Sequence, residues 1–380
     1  MAKVFVPMEV EPGETRVAAT PETVRKLAAL KLEVAIEAGA GERASWPDDA
    51  FAQAGAKIES DRARGLAGAD LVLALHPPRG PADLPRSGGT LVSFLYPAAR
   101  PEIVRALVER RVTSFAIELL PRISRAQGMD ALSSQSTVAG YKAVLLAAER
   151  LGKFFPLLMT AAGTIKPARV VVLGAGVAGL QAIATARRLG AMVEVSDIRP
   201  AVKEQVESLG AKFIDVPAQQ DAQDRGGYAK EAGAEFKRAQ EEALRKRVAE
   251  ADVVICTALV PGKAAPKLLP ASMVRGMRPG SVVIDLAAEQ GGNCELTKPN
   301  ESVVAHGVTI VGTRNLAATV PVHASEMYAR NLLNFLLVIV KDGALVVDEK
   351  DEIVAGCLVT RDGRIAHAPT AALLAQAAAT

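Results

Sequence analysis

The stretch that decides the fold reads Arg169-Val170-Val171-Val172-Leu173-Gly174-Ala175-Gly176-Val177-Ala178-Gly179-Leu180. An apolar strand pattern runs into a glycine turn, and a helical pattern begins directly after the turn. This order is typical of a site for a dinucleotide pyrophosphate. Gly174 permits the tight turn, Gly176 lets the backbone approach the phosphates, and Gly179 lets the helix pack on the strand. Unpaired N–H groups and the positive end of the helix dipole then face the anion.

An acidic residue follows the next strand pattern, Met192–Ser196, at Asp197. An acid at this point accepts hydrogen bonds from the adenosine ribose hydroxyls and repels a 2′-phosphate. The sequence therefore favours NAD(H) over NADP(H). The alternative is a glycine turn with no ligand, and the strand, helix and acid in register make it the weaker interpretation.

The composition describes a soluble chain of two domains. It has 380 residues, 49% hydrophobic and 23% charged, with a net charge of +3, and this length exceeds the usual size of one core. Dispersed basic residues, four Tyr and one Trp argue against nucleic-acid binding. The sequence suggests no signal peptide, and its longest apolar run is shorter than the roughly 20 residues of a membrane span.

The three cysteines are far apart and indicate neither a metal site nor a disulfide framework. Cys256 ends an apolar strand pattern and is interpreted as a buried structural thiol, which fits a reducing, cytosolic compartment. None of the four histidines has metal-ligand spacing or a nucleophile motif, so we expect no metal and no covalent catalysis.

Strand and helix patterns alternate along most of the chain, which predicts parallel sheets with helices on both faces. Predicted strands of the first sheet are Val4–Val6, Leu32–Ile36, Leu71–Leu75, Leu91–Leu95 and Thr113–Ala116. Predicted helices beside it are Glu22–Leu30, Asp48–Ala54 and Pro101–Arg110. Predicted strands of the second sheet begin at Arg169 and continue with Met192–Ser196, Lys212–Ile214, Asp252–Cys256, Ser281–Asp285 and Val308–Val311.

Two long helical patterns, Thr137–Leu151 and Ala324 to about Lys341, are predicted to join the domains. The expected fold is α/β, with two Rossmann-like, doubly wound parallel-sheet domains. Residues 1–136 with 321–380 form one domain, and the NAD-binding domain, residues 137–320, is inserted into it. The cleft between them is the expected ligand site. The tail carries turn signals at Asp342-Gly343 and Asp362-Gly363 and ends in an alanine-rich helical pattern.

Residues 215–234 show no convincing element and contain Gly226-Gly227-Tyr228. Loops of this length in compact domains are usually functional or disordered, and glycines beside an aromatic suit a mobile flap over a ligand. A surface insertion is the alternative.

A polar segment, Pro121–Ser133, follows a strand end and places Arg122, Arg125, Gln127 and Asp130 at the expected cleft. Arginine there can neutralise phosphate or polarise a carboxamide, and Gln127 could fix the nicotinamide or its ribose. A polar connector held by a salt bridge is an equal alternative.

Two further loops follow strand ends of the second sheet, where ligands of open α/β sheets bind. One runs from Asp285 through Glu289 to Gly291-Gly292, and the other is Leu259-Val260-Pro261-Gly262. Simple turn chemistry would also explain their glycines.

Over nearly its full length the chain resembles two related families: alanine dehydrogenase and the NAD(H)-binding component, the soluble part of the alpha subunit, of proton-translocating NAD(P) transhydrogenase. The shared motifs are Glu14–Pro21, Gly174–Gly179 and Asp285–Gly292. Alanine dehydrogenases have a lysine in the loop that here reads Leu75–Pro78, a catalytic histidine where this chain reads Phe94–Pro97, and an aspartate where it has Glu289. Of that amino-acid site only Arg16 survives.

The transhydrogenase pattern is matched more fully. Pro121–Ser133 resembles that family's signature loop through Arg122, Gln127, Asp130 and Ser133. Gly226–Glu231 resembles its mobile loop, in which Tyr228 closes over the nucleotide, and Thr257–Lys263 also fits.

The resemblance implies that NADH bound on this chain passes a hydride, in Re/Si-specific fashion, to NADP⁺ on a separate NADP(H)-binding component, with a membrane component coupling the transfer to proton movement. It also implies a homodimer that is peripheral on the cytoplasmic face of the cell membrane. The implied nicotinamide-side residues are Arg122, Ile123, Ser124 and Gln127, with Asp130 and Ser133 supporting their loop. The implied contacts of the rest of the dinucleotide are Val177 at the pyrophosphate, Asp197, Ile198 and Arg199 at the adenosine ribose, and Gly227, Gln240 and Leu259 closing the site. The alternatives are an amino-acid dehydrogenase of the alanine type and a non-catalytic NAD(H)-binding module.

Overall fold

A computed structural model describes residues 1–215, 234–259 and 264–379. The described chain divides into two compact units, Met1–Gln135 with Ala318–Thr380, and Ser136–Ala317. The predicted boundaries, 136/137 and 320/321, lie within a few residues of this division. That these are the boundaries of two domains stays a prediction.

The strands of the described residues form two large sheets and two small hairpins. They are β1 Lys3–Val6, β2 Glu33–Glu37, β3 Lys57–Glu59, β4 Leu71–Leu73, β5 Thr90–Ser93, β6 Thr113–Ala116, β7 Leu158–Thr160, β8 Gly163–Ile165, β9 Arg169–Leu173, β10 Met192–Ser196, β11 Lys212–Phe213, β12 Val253–Cys256, β13 Val282–Asp285, β14 Ser302–Ala305, β15 Val308–Val311, β16 Val340–Lys341, β17 Ala344–Leu345, β18 Leu358–Arg361 and β19 Arg364–Ile365.

Helices connect most of these strands. They are α1 Pro21–Ala29, α2 Asp48–Gln53, α3 Arg62–Gly68, α4 Pro101–Glu109, α5 Ala131–Arg150, α6 Val177–Arg188, α7 Lys203–Ser208, α8 Ala234–Glu250, α9 Ala271–Arg275, α10 Pro321–Ile339, α11 Glu352–Cys357 and α12 Ala368–Ala379. None of the helices in the described ranges is both long and apolar enough to cross a membrane.

Both large sheets contain the same parallel strand order. The first runs β3-β2-β1-β4-β5-β6, and the second runs β11-β10-β9-β12-β13-β15. This is the strand order of doubly wound nucleotide-binding sheets. The chain first adds strands on one side of the central strand and then adds strands on its other side. The structure confirms the predicted α/β class with two Rossmann-like sheets.

Each sheet buries side chains on both faces, as parallel sheets do. In the first unit Val4 and Val6 of β1 face one core and Phe5 faces the other. In the second unit Val170 and Val172 of β9 lie in one core, and Val171 and Leu173 lie in the other. Successive side chains of a strand point to opposite faces of the sheet, and here both faces are buried. The strand sequences are therefore apolar throughout and show no polar face.

Several elements differ from the sequence prediction. The pattern missed β3, α3 and α11 in the first unit, and the β7–β8 hairpin, α7, α8, α9 and β14 in the second. β3 has the sequence Lys57-Ile58-Glu59, and all three residues are at least partly exposed, so no apolar run marks it. β18 pairs antiparallel with β6 and extends the first sheet beyond its parallel part.

The long helices also begin earlier than predicted. α5 begins at Ala131, not Thr137, because the side chain of Asp130 caps it: an Asp130 oxygen accepts the N–H of Ser133 at 2.9 Å. α10 begins at Pro321, since proline suits the first turn of a helix. α5 passes from one unit into the other, whereas α10 lies wholly in the first unit. That placement corrects the expectation that both long helices cross between domains.

The tail folds as its turn signals predicted. Asp342-Gly343 joins β16 to β17, and Asp362-Gly363 joins β18 to β19. All four residues have positive φ, from 50° to 75°, as two-residue hairpin turns of this kind require.

Candidate functional site

The glycine turn lies at the carboxyl end of β9, the central strand of the second sheet. Gly174 has φ of +103°, and its N–H donates to the carbonyl of Ser196 at 2.8 Å. A Cβ on Gly179 would lie 1.9 Å from the carbonyl oxygen of Gly174. These two glycines are therefore required by the packing of the turn itself.

Gly176 differs because, its chain neighbours apart, no atom of residues 1–215, 234–259 and 264–379 lies within 4 Å of the position its Cβ would take. It is the N-cap of α6, and its carbonyl accepts the N–H of Leu180 at 2.8 Å. The neighbouring Val177 side chain is exposed. The open side of the turn thus lies at the amino end of a 12-residue helix, where backbone N–H groups and the helix dipole favour an anion.

Helix α5 packs closely on this same turn within the second unit. A Cβ on Gly140 would lie 2.1 Å from the carbonyl oxygen of Ala178. Glycine at this position lets α5 contact the first turn of α6 directly, which fixes the direction of the α6 axis.

Asp197 lies at the end of β10 and is 6% exposed. One oxygen accepts the N–H of Ala175 at 2.7 Å, so Asp197 holds the glycine turn from the side. The other accepts the backbone N–H of Arg199 at 2.8 Å. The Arg199 guanidinium spans both oxygens at 2.9 and 2.8 Å, and the hydrogen bond to Asp197 raises the pKa of Arg199.

Other predicted residues of this edge are placed as follows. Gln240 of α8 is buried and donates to Ser196 Oγ at 3.3 Å, beside Asp197. Ile198 is half-buried, and Leu259 is 39% exposed. Gly227 and Tyr228 of the predicted mobile loop lie outside the described residues, as do Val260 to Lys263.

The loop after β13 is held by Asp285, which is fully buried. Its oxygens accept the N–H of Ala287 at 3.0 Å, the N–H of Cys294 at 2.9 Å and the hydroxyl of Thr297 at 2.6 Å. Asp285 is thus a structural anchor of its loop, and Glu289 is exposed and accepts the N–H of Asn315. Cys256 is buried, as interpreted from the sequence, and burial raises the pKa of its thiol.

The polar segment in the first unit forms a helical turn, Ser124–Met129. Ala126 and Met129 are buried in the core, whereas Arg122, Ser124 and Gln127 are exposed and Ile123 is half-buried. Two asparagines of α10, Asn331 and Asn334, donate to the carbonyl of Gly128 at 2.9 and 2.8 Å and hold the turn in place.

Charged residues of this segment have structural partners. Arg125 forms an ion pair with Asp351 through two hydrogen bonds, at 2.7 and 2.8 Å. For this residue the structure agrees with the alternative interpretation, a polar connector held by a salt bridge. Ser133 Oγ donates to Asp130 at 2.6 Å, in addition to the cap described above. Asp130 and Ser133 therefore stabilise the end of the loop.

Arg16, the residue shared with amino-acid dehydrogenases, is buried in a polar cluster of the first unit. Its guanidinium donates to both oxygens of Glu14, at 2.8 and 2.6 Å, and to Gln135 at 2.7 Å. His76 Nε2 lies 2.7 Å from Glu14 Oε2. Burial would raise the pKa of Glu14, but the hydrogen bonds from Arg16 and His76 outweigh it and hold that pKa below its usual range.

Two residues that contact the glycine turn or its neighbouring loop were not assigned to the site from the sequence, although Thr257 lies in a matched motif. Thr257 Oγ1 donates to the carbonyl of Gly174 at 2.8 Å, and the Asn293 side chain bonds to the backbone of Ala258. Thr257 was visible as the first residue after a strand end. Asn293 follows the Gly-Gly turn, and no motif marks it.

Comparison with known proteins gives matches along almost the whole chain. The family model described as "Alanine dehydrogenase/PNT, N-terminal domain" matches residues 5–139, and "Alanine dehydrogenase/PNT, C-terminal domain" matches residues 143–368. The first part of the NAD(P) transhydrogenase alpha subunit of Rhodospirillum rubrum is 52% identical over 96% of this chain and 98% of its own length.

Two further matches separate the two branches. A solved structure of a transhydrogenase from Sinorhizobium meliloti has a TM-score of 0.88 and 42% identity, covering 96% of this chain and 99% of that one. The alanine dehydrogenase of Halomonas elongata is 32% identical over 96% of this chain and 95% of its own length. Both branches share the fold, and the transhydrogenase relatives are more similar in sequence.

Proposed function

Because the chain belongs to the alanine dehydrogenase/PNT family, we propose that it is the NAD(H)-binding alpha subunit of a proton-translocating NAD(P)⁺ transhydrogenase. The observation that carries the proposal is the open side of Gly176 at the amino end of α6, with Asp197 beside it. This arrangement suits a dinucleotide whose pyrophosphate meets N–H groups and whose ribose meets a carboxylate. Bound NADH supplies a hydride.

We propose the following nucleotide contacts at that edge of the second unit. Asp197 accepts from the adenosine ribose, with Ile198 and Arg199 beside it, and its negative charge disfavours a 2′-phosphate. Gln240 orders the strand end through Ser196. Leu259 is exposed at the same edge and can cover an apolar ring. We also propose that Gly227 and Tyr228 belong to a loop that closes the site.

In the first unit we assign Arg122, Ile123, Ser124 and Gln127 to the nicotinamide end. Arg122, Ser124 and Gln127 are exposed on a turn whose own position is fixed by buried Ala126 and Met129. A rigid turn with exposed polar side chains can orient a carboxamide without donating or accepting a reacting proton. Transfer between two nicotinamides needs apposition and exclusion of water, since no proton is shuttled.

The proposed partners follow from that reaction. The acceptor is NADP⁺ on a separate NADP(H)-binding component, and a membrane component couples the transfer to proton movement, with this chain at the cytoplasmic face of the membrane. We also propose a homodimer. Its support is an exposed apolar segment around the β7–β8 hairpin, where Leu157 is 53% and Met159 is 79% exposed.

The alanine dehydrogenase alternative is disfavoured by the polar cluster around Arg16. Amino-acid oxidation needs a general base and a group that polarises the imine. Here His76 pairs with Glu14, and the position of the family's catalytic histidine falls in the Phe94–Pro97 segment, which contains Tyr96. Arg16 is already bonded to Glu14 and Gln135.

The test is a calorimetric titration of the intact chain with NADH and with NADPH. We expect NADH to bind at least tenfold more tightly, because the Asp197 carboxylate repels the 2′-phosphate. Substituting Asp197→Asn should narrow that preference because the negative charge is lost. It should also weaken the binding of both nucleotides, because the amide nitrogen then faces N–H donors of Ala175 or Arg199. Equal affinity for the two nucleotides in the unsubstituted chain would contradict the proposed specificity.

A further inference from the structure

Asn293 is a fully buried polar side chain between two loops of the second unit. Its Oδ1 accepts the N–H of Ala258 at 3.0 Å, and its Nδ2 donates to the carbonyls of Ala258 and Pro266, each at 2.8 Å. The oxygen and both amide protons are therefore bonded to backbone. A side-chain amide that hydrogen-bonds to both the N–H and the C=O of one residue pairs with that residue as a neighbouring β-strand would.

The segment that Asn293 holds is Thr257–Leu259, directly after β12. β12 lies beside β9, with Cys256 paired to Leu173. Thr257 Oγ1 donates to the carbonyls of Gly174 and Leu173 at 2.8 and 3.2 Å. The backbone fixed by Asn293 is thus bonded, one residue away, to the glycine turn.

Asn293 is itself held in place by the loop after β13. Gly291 and Gly292 have φ of +96° and +80°, a conformation that glycine adopts without strain. A Cβ on Gly292 would lie 2.7 Å from Asp285 Oδ2, which also accepts the N–H of Cys294. In this turn the Asn293 amide faces the backbone of Ala258.

We propose that Asn293 is a positioning residue for the nucleotide. It acts through Ala258 and Thr257, which set the backbone of the glycine turn and the starting position of Leu259. This inference rests on the proposed NAD(H) site. Asn293 has no exposed surface. It would therefore affect the nucleotide only through the loop that it holds in place.

The test compares two isosteric substitutions in the same unit. Asn293→Asp replaces both N–H donors by an oxygen that faces two carbonyls, whereas Asn300→Asp makes the same change at an exposed position. By calorimetric titration of the intact chain, N293D should raise the Kd for NADH at least tenfold, and N300D should leave it unchanged. With the partner component present, N293D should raise the KM for NADH while kcat changes less than twofold, because the lost binding is uniform.

A second pair keeps the inference testable if N293D fails to fold. Thr257→Val removes the hydroxyl that bonds to Gly174, and Thr257→Ser restores it. T257V should weaken NADH binding at least fivefold, and T257S should recover most of that loss. Folded N293D and T257V chains that bind NADH as the unsubstituted chain does would show that these residues only support the fold. If the unsubstituted chain binds no NADH, the proposed function itself is wrong.

Discussion

The three glycines of the turn after β9 differ in what surrounds them. A Cβ on Gly174 would lie 2.8 Å from Thr257 Oγ1, and one on Gly179 would lie 1.9 Å from backbone. A Cβ on Gly176 would meet no atom of the described part of the chain within 4 Å, apart from its two chain neighbours. Internal packing therefore explains two of the glycines, and we propose that the approach of the nucleotide accounts for the third.

Substituting these positions should separate stability from binding. Gly176→Ala should change the free energy of unfolding by less than about 1 kcal/mol and raise the Kd for NADH at least tenfold. Gly179→Ala should destabilise by about 2–3 kcal/mol, because the new methyl group must displace backbone. Thermal melts and NADH titrations check both. A G176A chain that binds NADH with unchanged affinity would remove the role assigned to Gly176.

Glu9 gives the first unit a pH-dependent term in its stability. It is buried, accepts the N–H of Leu75 at 2.6 Å, and burial raises its pKa from 4.5 to about 7. Below about pH 4.5 the carboxyl is protonated in the folded and unfolded states alike. As the pH rises towards 7 the unfolded chain releases the proton first, so stability falls.

Glu9→Gln should remove this contribution to the pH dependence of stability. Relative to the unsubstituted chain, E9Q should become more stable as the pH rises from about 5 to about 8, at about 1.4 kcal/mol per unit of pKa difference. Urea unfolding across that pH range measures the difference. A stability difference that is the same at every pH would show that burial does not raise the pKa of Glu9.

At the scale of elements, the apolar strands and the glycine turn were predictable because their patterns are strong. β9 begins at Arg169, as the sequence predicted, and β10 has the predicted bounds. β3 was not predictable, because Ile58 is its one apolar residue and none of its three residues is fully buried. β14 is apolar but only four residues long, and none of its residues is fully buried. Asn293 was missed for a different reason: its role depends on Ala258, 35 residues away, and only the fold brings the two together.

The cap of α5 connects an element boundary to the proposed nicotinamide loop. Asp130→Ala should cost about 1 kcal/mol, the usual value of a lost N-cap, and should also slow hydride transfer because the loop end is released. Asp61 caps α3 in the same way, through the N–H of Arg64 at 3.1 Å. Asp61→Ala should therefore lower the thermal midpoint similarly and leave the transfer rate unchanged. Equal transfer rates in D130A and the unsubstituted chain would show that the end of this loop does not contribute to hydride transfer.

At the scale of the whole molecule, two units carry the same strand order, and the glycine fingerprint is found in the second. The first has Val6-Pro7-Met8-Glu9 after its central strand. Its buried Arg16 is paired with Glu14 of the same unit. We therefore assign nucleotide binding to the second unit and the support of the Arg122–Gln127 turn to the first.

The proposed homodimer is tested by light scattering. The chain should have a mass about twice its 39.7 kDa, and Met159→Glu on the exposed hairpin should shift it to the monomer, because a charge there is costly to bury. Val304→Glu is the matched control, since Val304 is 72% exposed on β14. If both variants stay dimeric, the hairpin is not the interface.

The most direct test of the account is hydride transfer from NADH by the purified chain, measured with and without an NADP(H)-binding component of a transhydrogenase. We expect reduction of an NADP⁺ analogue only in the mixture, a large loss of rate in Gln127→Ala, and negligible NADH production from alanine and NAD⁺ by the chain alone. Robust alanine-dependent NADH production, with no transfer in the mixture, would contradict it.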